Sequence, residues 1–137
     1  MAMYNNILIP VVLKNTEKNE RAFEAARILA DEGAHLTLLH VIEAIPVYVS
    51  DYIPTDYIIE ARDSVQTQLE ALAKTLPNCH AATTEGRAGS RILDWAEDNK
   101  SDCIVIASHQ PVFSDILLGS VAHHVVRHAK CAVHVIR

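Results

Sequence analysis

The sequence predicts an α/β fold, an open parallel sheet with helices on both faces. Three observations carry that prediction. Short β-branched apolar runs alternate with amphipathic stretches of helical length, in the order βαβαβαβαβ expected of stacked βαβ units. The first run, NILIPVVL, is apolar without alternation, the pattern of a strand covered on both sides. Between the runs, apolar residues recur at three- and four-residue spacing. With 137 residues, half of them apolar, the chain is expected to form a single domain, residues 1–137, around one core.

Strand one is expected over Asn6–Leu13, with Pro10 near its end because a proline has no N–H for the ladder. The first helix is expected to open on Thr16 as N-cap, with Glu17 in the favourable first turn. Its apolar stripe is Ala22, Phe23, Ala26, Leu29 and Ala30, and Gly33 is expected to end it. His35–Ile42 reads as strand two, and His40 within it as a satisfied sheet residue, a ligand role being the alternative. Glu43–Pro54, with Tyr48 and Tyr52, is a looser crossover of the kind that can serve as a lid or interface. Thr55 is expected to cap a helix running to about Leu76, stopped by Pro77.

Cys79–Thr84 is the third strand, and Ser90 the expected cap of the next helix, with Ile92, Leu93 and Ala96 inward and Trp95 covering an edge. Asp102–Ser108 and Cys131–Ile136 are strands four and five. Between them, helix Ser120–Ala129 carries the stripe Val121, Ala122, Val125, Val126 and Ala129.

Composition excludes several functions. A net charge of −5 gives no electrostatic footprint for nucleic acid. Three widely spaced cysteines form neither a disulfide framework nor a CxxC pair, so free buried thiols in a reducing compartment are expected. No run is long enough to span a bilayer, and the N-terminus lacks the charged region of a signal peptide. A cytoplasmic protein with no membrane insertion is the expectation.

In an open parallel sheet, ligands bind beyond the carboxyl ends of the strands, where strand order reverses. That rule selects Pro10–Leu13, Val41–Glu43, Glu85–Ser90 and Ser108–Ser120. Within the last of these, Gly119-Ser120 opens a helix, whose first N–H groups and dipole suit an anion. The alternative is that Gly119 makes the turn and Ser120 merely caps. Neither GxxxxGK[ST] nor GxGxxG is present. The helical pairs His124/His128 and His123/Arg127 are expected on the outward face, where His124/His128 could take zinc or nickel. No carboxylate follows in sequence to complete such a site, and HExxH is absent, so no metal site is assigned. His109 and Asp115 lie in the loop before Gly119, the first a candidate donor to phosphate and the second a plain loop carboxylate or an aid in holding a metal on a triphosphate. No paired carboxylates and no GxSxG elbow appear, so no catalytic residue is assigned.

The closing stretch IASHQPVFSDILLGSVAHHVVRHAKCAVHVIR resembles the universal stress protein (UspA-domain) family, in particular its small F- and G-type members with an ASHRP-like loop before LLGS. ILIPVV, LLHVIE and EGRAGSRILDWA extend the likeness along the chain in the right order. The resemblance implies a Rossmann-like sheet of order 3-2-1-4-5, related to the adenine nucleotide α-hydrolase type. It implies a homodimer through the last strand, or a tetramer, acting in stress response on a client the sequence does not name. It implies ATP or AMP as ligand, with Mg²⁺ where ATP is bound. Carried over by position, the adenosine side is Pro10, Val11 and the backbone of Val41. The phosphate side is Ala107, Ser108, His109 and Gln110, then Gly119, Ser120 and Val121.

Three departures from the family pattern stand out. Val12 replaces an acidic residue, Ala107 and Gln110 replace the first two glycines of G-x-x-G-x9-G-[S/T], and the second spacer is one residue short. The F/G-type loop shares the alanine and the short spacer but usually has arginine where Gln110 stands. A lost charge-assisted hydrogen bond is worth on the order of 1.5–3 kcal/mol, roughly tenfold to a hundredfold in affinity. Three functions follow in order: a nucleotide-binding regulatory module, a nucleotide-free interaction module of the same fold, and a slow ATP hydrolase. The last lacks an evident base or Walker lysine for efficient turnover.

Overall fold

The chain's fold is given by a computed structural model that describes residues 3–14, 16–43, 51–108 and 119–137. Nine elements follow in order: β1 (Tyr4–Pro10), α1 (Thr16–Leu29), β2 (Ala30–Ile42), α2 (Thr55–Ala73), β3 (Cys79–Glu85), α3 (Ala88–Asp98), β4 (Cys103–Ala107), α4 (Ser120–His128) and β5 (Ala132–Ile136). The five strands form one sheet of order β3-β2-β1-β4-β5, and every neighbouring pair is parallel. The fold and the strand order expected from the sequence are both present.

Side-chain alternation in β1 divides the core. Ile7 and Ile9 pack with Leu36, Leu38 and Val105 beneath Phe23 and Ala26 of α1 and Leu69 of α2. Leu8 points the other way, with Leu39, Ile104 and Ile106, beneath Ile92 of α3 and Ala122 and Val125 of α4. Both faces of β1 are therefore dry, which is why its sequence is apolar without interruption. The strand order reverses between β1 and β4. At the lower end of that junction the Asp102 carboxylate accepts the N–H groups of Asn5 (2.8 Å) and Asn6 (3.0 Å). The Asn6 amide in turn donates to the Asn99 (2.8 Å) and Lys100 (3.2 Å) carbonyls.

Several boundaries differ from the sequence reading. β1 stops at Pro10, and the next N–H, of Val11, donates to the Leu39 carbonyl (2.8 Å). α1 begins at Thr16 itself and ends at Leu29, because Ala30 already pairs with Tyr4; Gly33, at φ +78°, shapes the entry into β2 and does not cap the helix. α2 has Pro54 as its N-cap, with Thr55 as the first helical residue, and ends at Ala73. A tighter turn follows, in which the Thr75 and Leu76 N–H groups donate to the Leu72 and Ala73 carbonyls, so Leu76 is buried although it lies outside the helix. α3 starts at Ala88 after Arg87 as N-cap, which puts Ser90 inside the first turn. The terminal strands are a residue shorter than expected at Asp102, Ser108 and Cys131, β3 is one longer at Glu85, and α4 stops at His128. Tyr48 lies outside the described residues; Tyr52 is fully exposed.

Candidate functional site

At the carboxyl ends of β1, β2 and β4 lies a cleft of about 200 Å³. Pro10, Val11 and Val12 form one wall, Leu39, His40 and Val41 a second, and Ile106, Ala107, Gly119, Ser120 and Val121 a third. Ala88 and Ile92 close it from α3. His40 and Val41 also line an adjoining apolar cleft of about 370 Å³ under Tyr57, Ile58 and Val65 of α2, with Glu43 and Arg62 among its lining.

Side-chain hydrogen bonds hold the loops of this cleft. The buried Ser108 hydroxyl accepts the Gly119 N–H (2.8 Å), which ties the end of β4 to the start of α4. The Lys18 ammonium of α1 donates to the Ser108 carbonyl. The buried Asn19 amide donates to the Val12 carbonyl (2.8 Å). His40 Nδ1 lies 2.9 Å from the Val11 carbonyl. A carbonyl only accepts, so Nδ1 carries the proton.

The first turn of α4 forms the wall opposite Pro10. An α-helix cannot bond its first N–H groups internally, and here Gly119 as N-cap offers no side chain to take them. The N–H groups of Ser120 and Val121 and the positive end of the helix dipole therefore suit an anion in the cleft.

The sequence model of the universal stress protein family matches residues 3–137. The chain belongs to the universal stress protein family. Universal stress protein G of Escherichia coli O157:H7 is 28% identical over 142 residues, covering 98% of this chain and all of the relative. The structure of universal stress protein UspA from Lactobacillus plantarum is similar at a TM-score of 0.73 and 28% identity, with both chains covered in full. A universal stress protein from Archaeoglobus fulgidus, solved in complex with dAMP, shares the fold at a TM-score of 0.65 and 22% identity, over 98% of each chain.

Among the positions singled out in this universal stress protein from its sequence, Pro10, Val11, Val41, Ala107, Gly119, Ser120 and Val121 all line the one cleft. Ser108 lies under it, fully buried, and holds the loop instead of facing the cavity. His109, Gln110 and Asp115 fall outside the described residues. His40 was missed as a cleft residue. Its sequence signal is ordinary, a polar residue in an apolar strand, and the Val11 carbonyl that fixes it is 29 positions away.

Three further histidines, His123, His124 and His128, sit on α4. Val121 and Val126, expected in the apolar stripe, are exposed, because Ala122 and Val125 suffice to bury a short helix against the sheet. His124 is half-buried, not outward: its ring occupies the notch left by Gly89 of α3. The His128 ring lies against it, tilted by 37° with ring centres 4.4 Å apart, and bonds through Nδ1 to the His124 carbonyl (2.9 Å). Among the described residues, no group of three or more His, Cys, Asp or Glu is placed to hold a metal ion, and no helix is long and apolar enough to cross a membrane.

Burial pushes the Cys79 and Cys103 thiols up to about 11, from an ordinary value of 9.0, and raises Cys131 in the same direction. At pH 8 an unperturbed thiol of this kind is about one-tenth ionised, and these two roughly one-thousandth. In a disulfide-exchange reagent at pH 8, Cys79 and Cys103 are expected to react at least about tenfold more slowly in the folded protein than in urea. Equal rates would show that the thiols are not protected by the fold.

Proposed function

We propose that this universal stress protein is a regulatory module that binds an adenine nucleotide, ATP or AMP, in the cleft at the β1–β4 junction. One observation carries the reading: residues far apart in sequence, at the ends of β1 and β2 and at the first turn of α4, enclose a single cavity with apolar walls and an anion-suited end. The dAMP bound by the Archaeoglobus fulgidus relative supports the ligand class.

In this reading Pro10, Val11 and the backbone of Val41 hold the adenosine, with the base directed toward the adjoining apolar cleft. Ser120 and Val121 hold the phosphates through their N–H groups and the Ser120 hydroxyl, and Gly119, whose own N–H is taken by Ser108, leaves them room to approach. Ala107 sets the floor, Ser108 fixes the position of Gly119, and His109 and Gln110 belong to the same phosphate loop. ATP brings Mg²⁺ with its phosphates. The module works in the cytoplasm, as a homodimer through the β5 edge or a tetramer of such dimers, and signals to a client protein without turning over its ligand.

Nucleotide release from freshly purified, heat-denatured protein tests this directly. Stoichiometric ATP or AMP in the supernatant is expected. No release, together with no thermal shift at millimolar ATP and Mg²⁺, would overturn the reading. It would favour a nucleotide-free interaction module of the same fold, for which Val12 speaks: an exposed apolar side chain stands at the cleft wall where the family has an acid.

A further inference from the structure

We infer that His40 is the residue that reads the sugar hydroxyls of the ligand, an inference that rests on the nucleotide reading of the cleft. Among the described residues that line the first cleft, only His40 and Ser120 have a polar side chain. Ser120 stands at the α4 end, where the phosphates go. Val12 supplies no acceptor, and its own carbonyl is taken by Asn19. A nucleoside's hydroxyls must find an acceptor in the cleft or lose the hydrogen bonds they made to water.

His40 supplies that acceptor by a definite chemical route. Its Nδ1–H is committed to the Val11 carbonyl at 2.9 Å. In the neutral ring the remaining nitrogen, Nε2, is then a lone-pair acceptor. No described residue bonds to Nε2, and His40, half-buried, lines both clefts. Among the described lining residues, the carboxylate of Glu43 belongs to the second cleft and not to the first. The bond to Val11 thus does two things: it fixes the end of β1, and it sets the tautomer that can accept a hydroxyl.

The test compares AMP with 2′,3′-dideoxy-AMP by calorimetric titration of the native protein and of His40→Asn. Asparagine's amide N–H replaces the Nδ1–H toward Val11 but leaves nothing at Nε2. The native protein is expected to bind AMP roughly three- to tenfold more tightly than the dideoxy analogue, as one neutral hydrogen bond allows. In His40→Asn the AMP affinity is expected to fall to that of the analogue, whose own affinity stays the same. His40→Gln, whose amide reaches the Nε2 position, is expected to restore the preference. Should His40→Asn fail to fold by circular dichroism, the native ratio and the His40→Gln titration still decide. Equal affinities in the native protein, or a preference that survives in His40→Asn, would overturn the role of His40 while the nucleotide reading stands. Absence of any binding to the native protein would overturn that reading and this inference together.

Discussion

Replacing Gly119 by valine is expected to abolish nucleotide-induced stabilisation while leaving the protein folded. The backbone at Gly119 has φ −59° and ψ 153°, values any L-residue adopts, so the substitution is not strained at the main chain. What glycine provides at this position is room. Gly119 lines the cleft, and its N–H is fixed on Ser108 Oγ, so a branched side chain there occupies the space next to the Ser120 N–H. A ligand at a hundred times its dissociation constant stabilises the folded state by about 2.7 kcal/mol. In a domain of this size that corresponds to a melting shift on the order of 10 °C. Thermal unfolding with and without millimolar nucleotide should show such a shift in the native protein and none in Gly119→Val. Gly119→Ala should fall between. A full shift in Gly119→Val would place the phosphates elsewhere.

The second large effect is expected far from any ligand atom. A Cβ on Gly89 would lie 2.7 Å from His124 Cδ2 and 3.1 Å from Cγ, closer than carbon atoms pack. The ring cannot simply swing away, since the His128 ring lies against it and its own Cβ is only 3.3 Å from the added atom. Gly89→Ala is therefore expected to destabilise the protein by about 1–3 kcal/mol in urea unfolding, the range for overpacking. The sign is the informative part, because glycine to alanine inside a helix ordinarily stabilises by up to about 1 kcal/mol. Adding His124→Ala should recover most of the loss, and a double variant no better than Gly89→Ala would show that the ring is not the obstacle.

Much of this structure is legible in the sequence because it is set locally. β1 and β4 are apolar runs, and the position of Pro10 at a strand end follows from its missing N–H. The site, too, could be located: the rule about strand ends and the Gly119-Ser120 step lead to the cleft that the structure encloses. The strand order came instead from the family resemblance, since pairing Ile7 with both Leu36 and Cys103 is not encoded in any short window. Helix ends were the least readable. Thr55 and Ser90 look like caps, yet Pro54 and Arg87 take those places because the extended chain before each helix sets where the first turn can close. His40 is the satisfied strand residue the sequence suggests, but its partner, the Val11 carbonyl, and the Gly89 notch that takes the His124 ring both lie on other stretches of chain and leave no local signal.

Sheet pairing is uneven in a way that bears on the cleft. β2 and β3 are laddered from Leu36↔Cys79 to Ile42↔Glu85, whereas β1 and β4 are laddered, among the described residues, across Ile7↔Cys103 and Leu8↔Ile104. Asp102 closes the lower end of that short ladder, and the cleft stands at its upper end. The β1–β4 junction is thus the least-laddered one in the sheet, and the cleft draws a wall from each side of it. A molecule seated there would cross-link the two sides where they share the least backbone bonding. In the nucleotide reading, occupancy would then add cohesion where the sheet has least of its own.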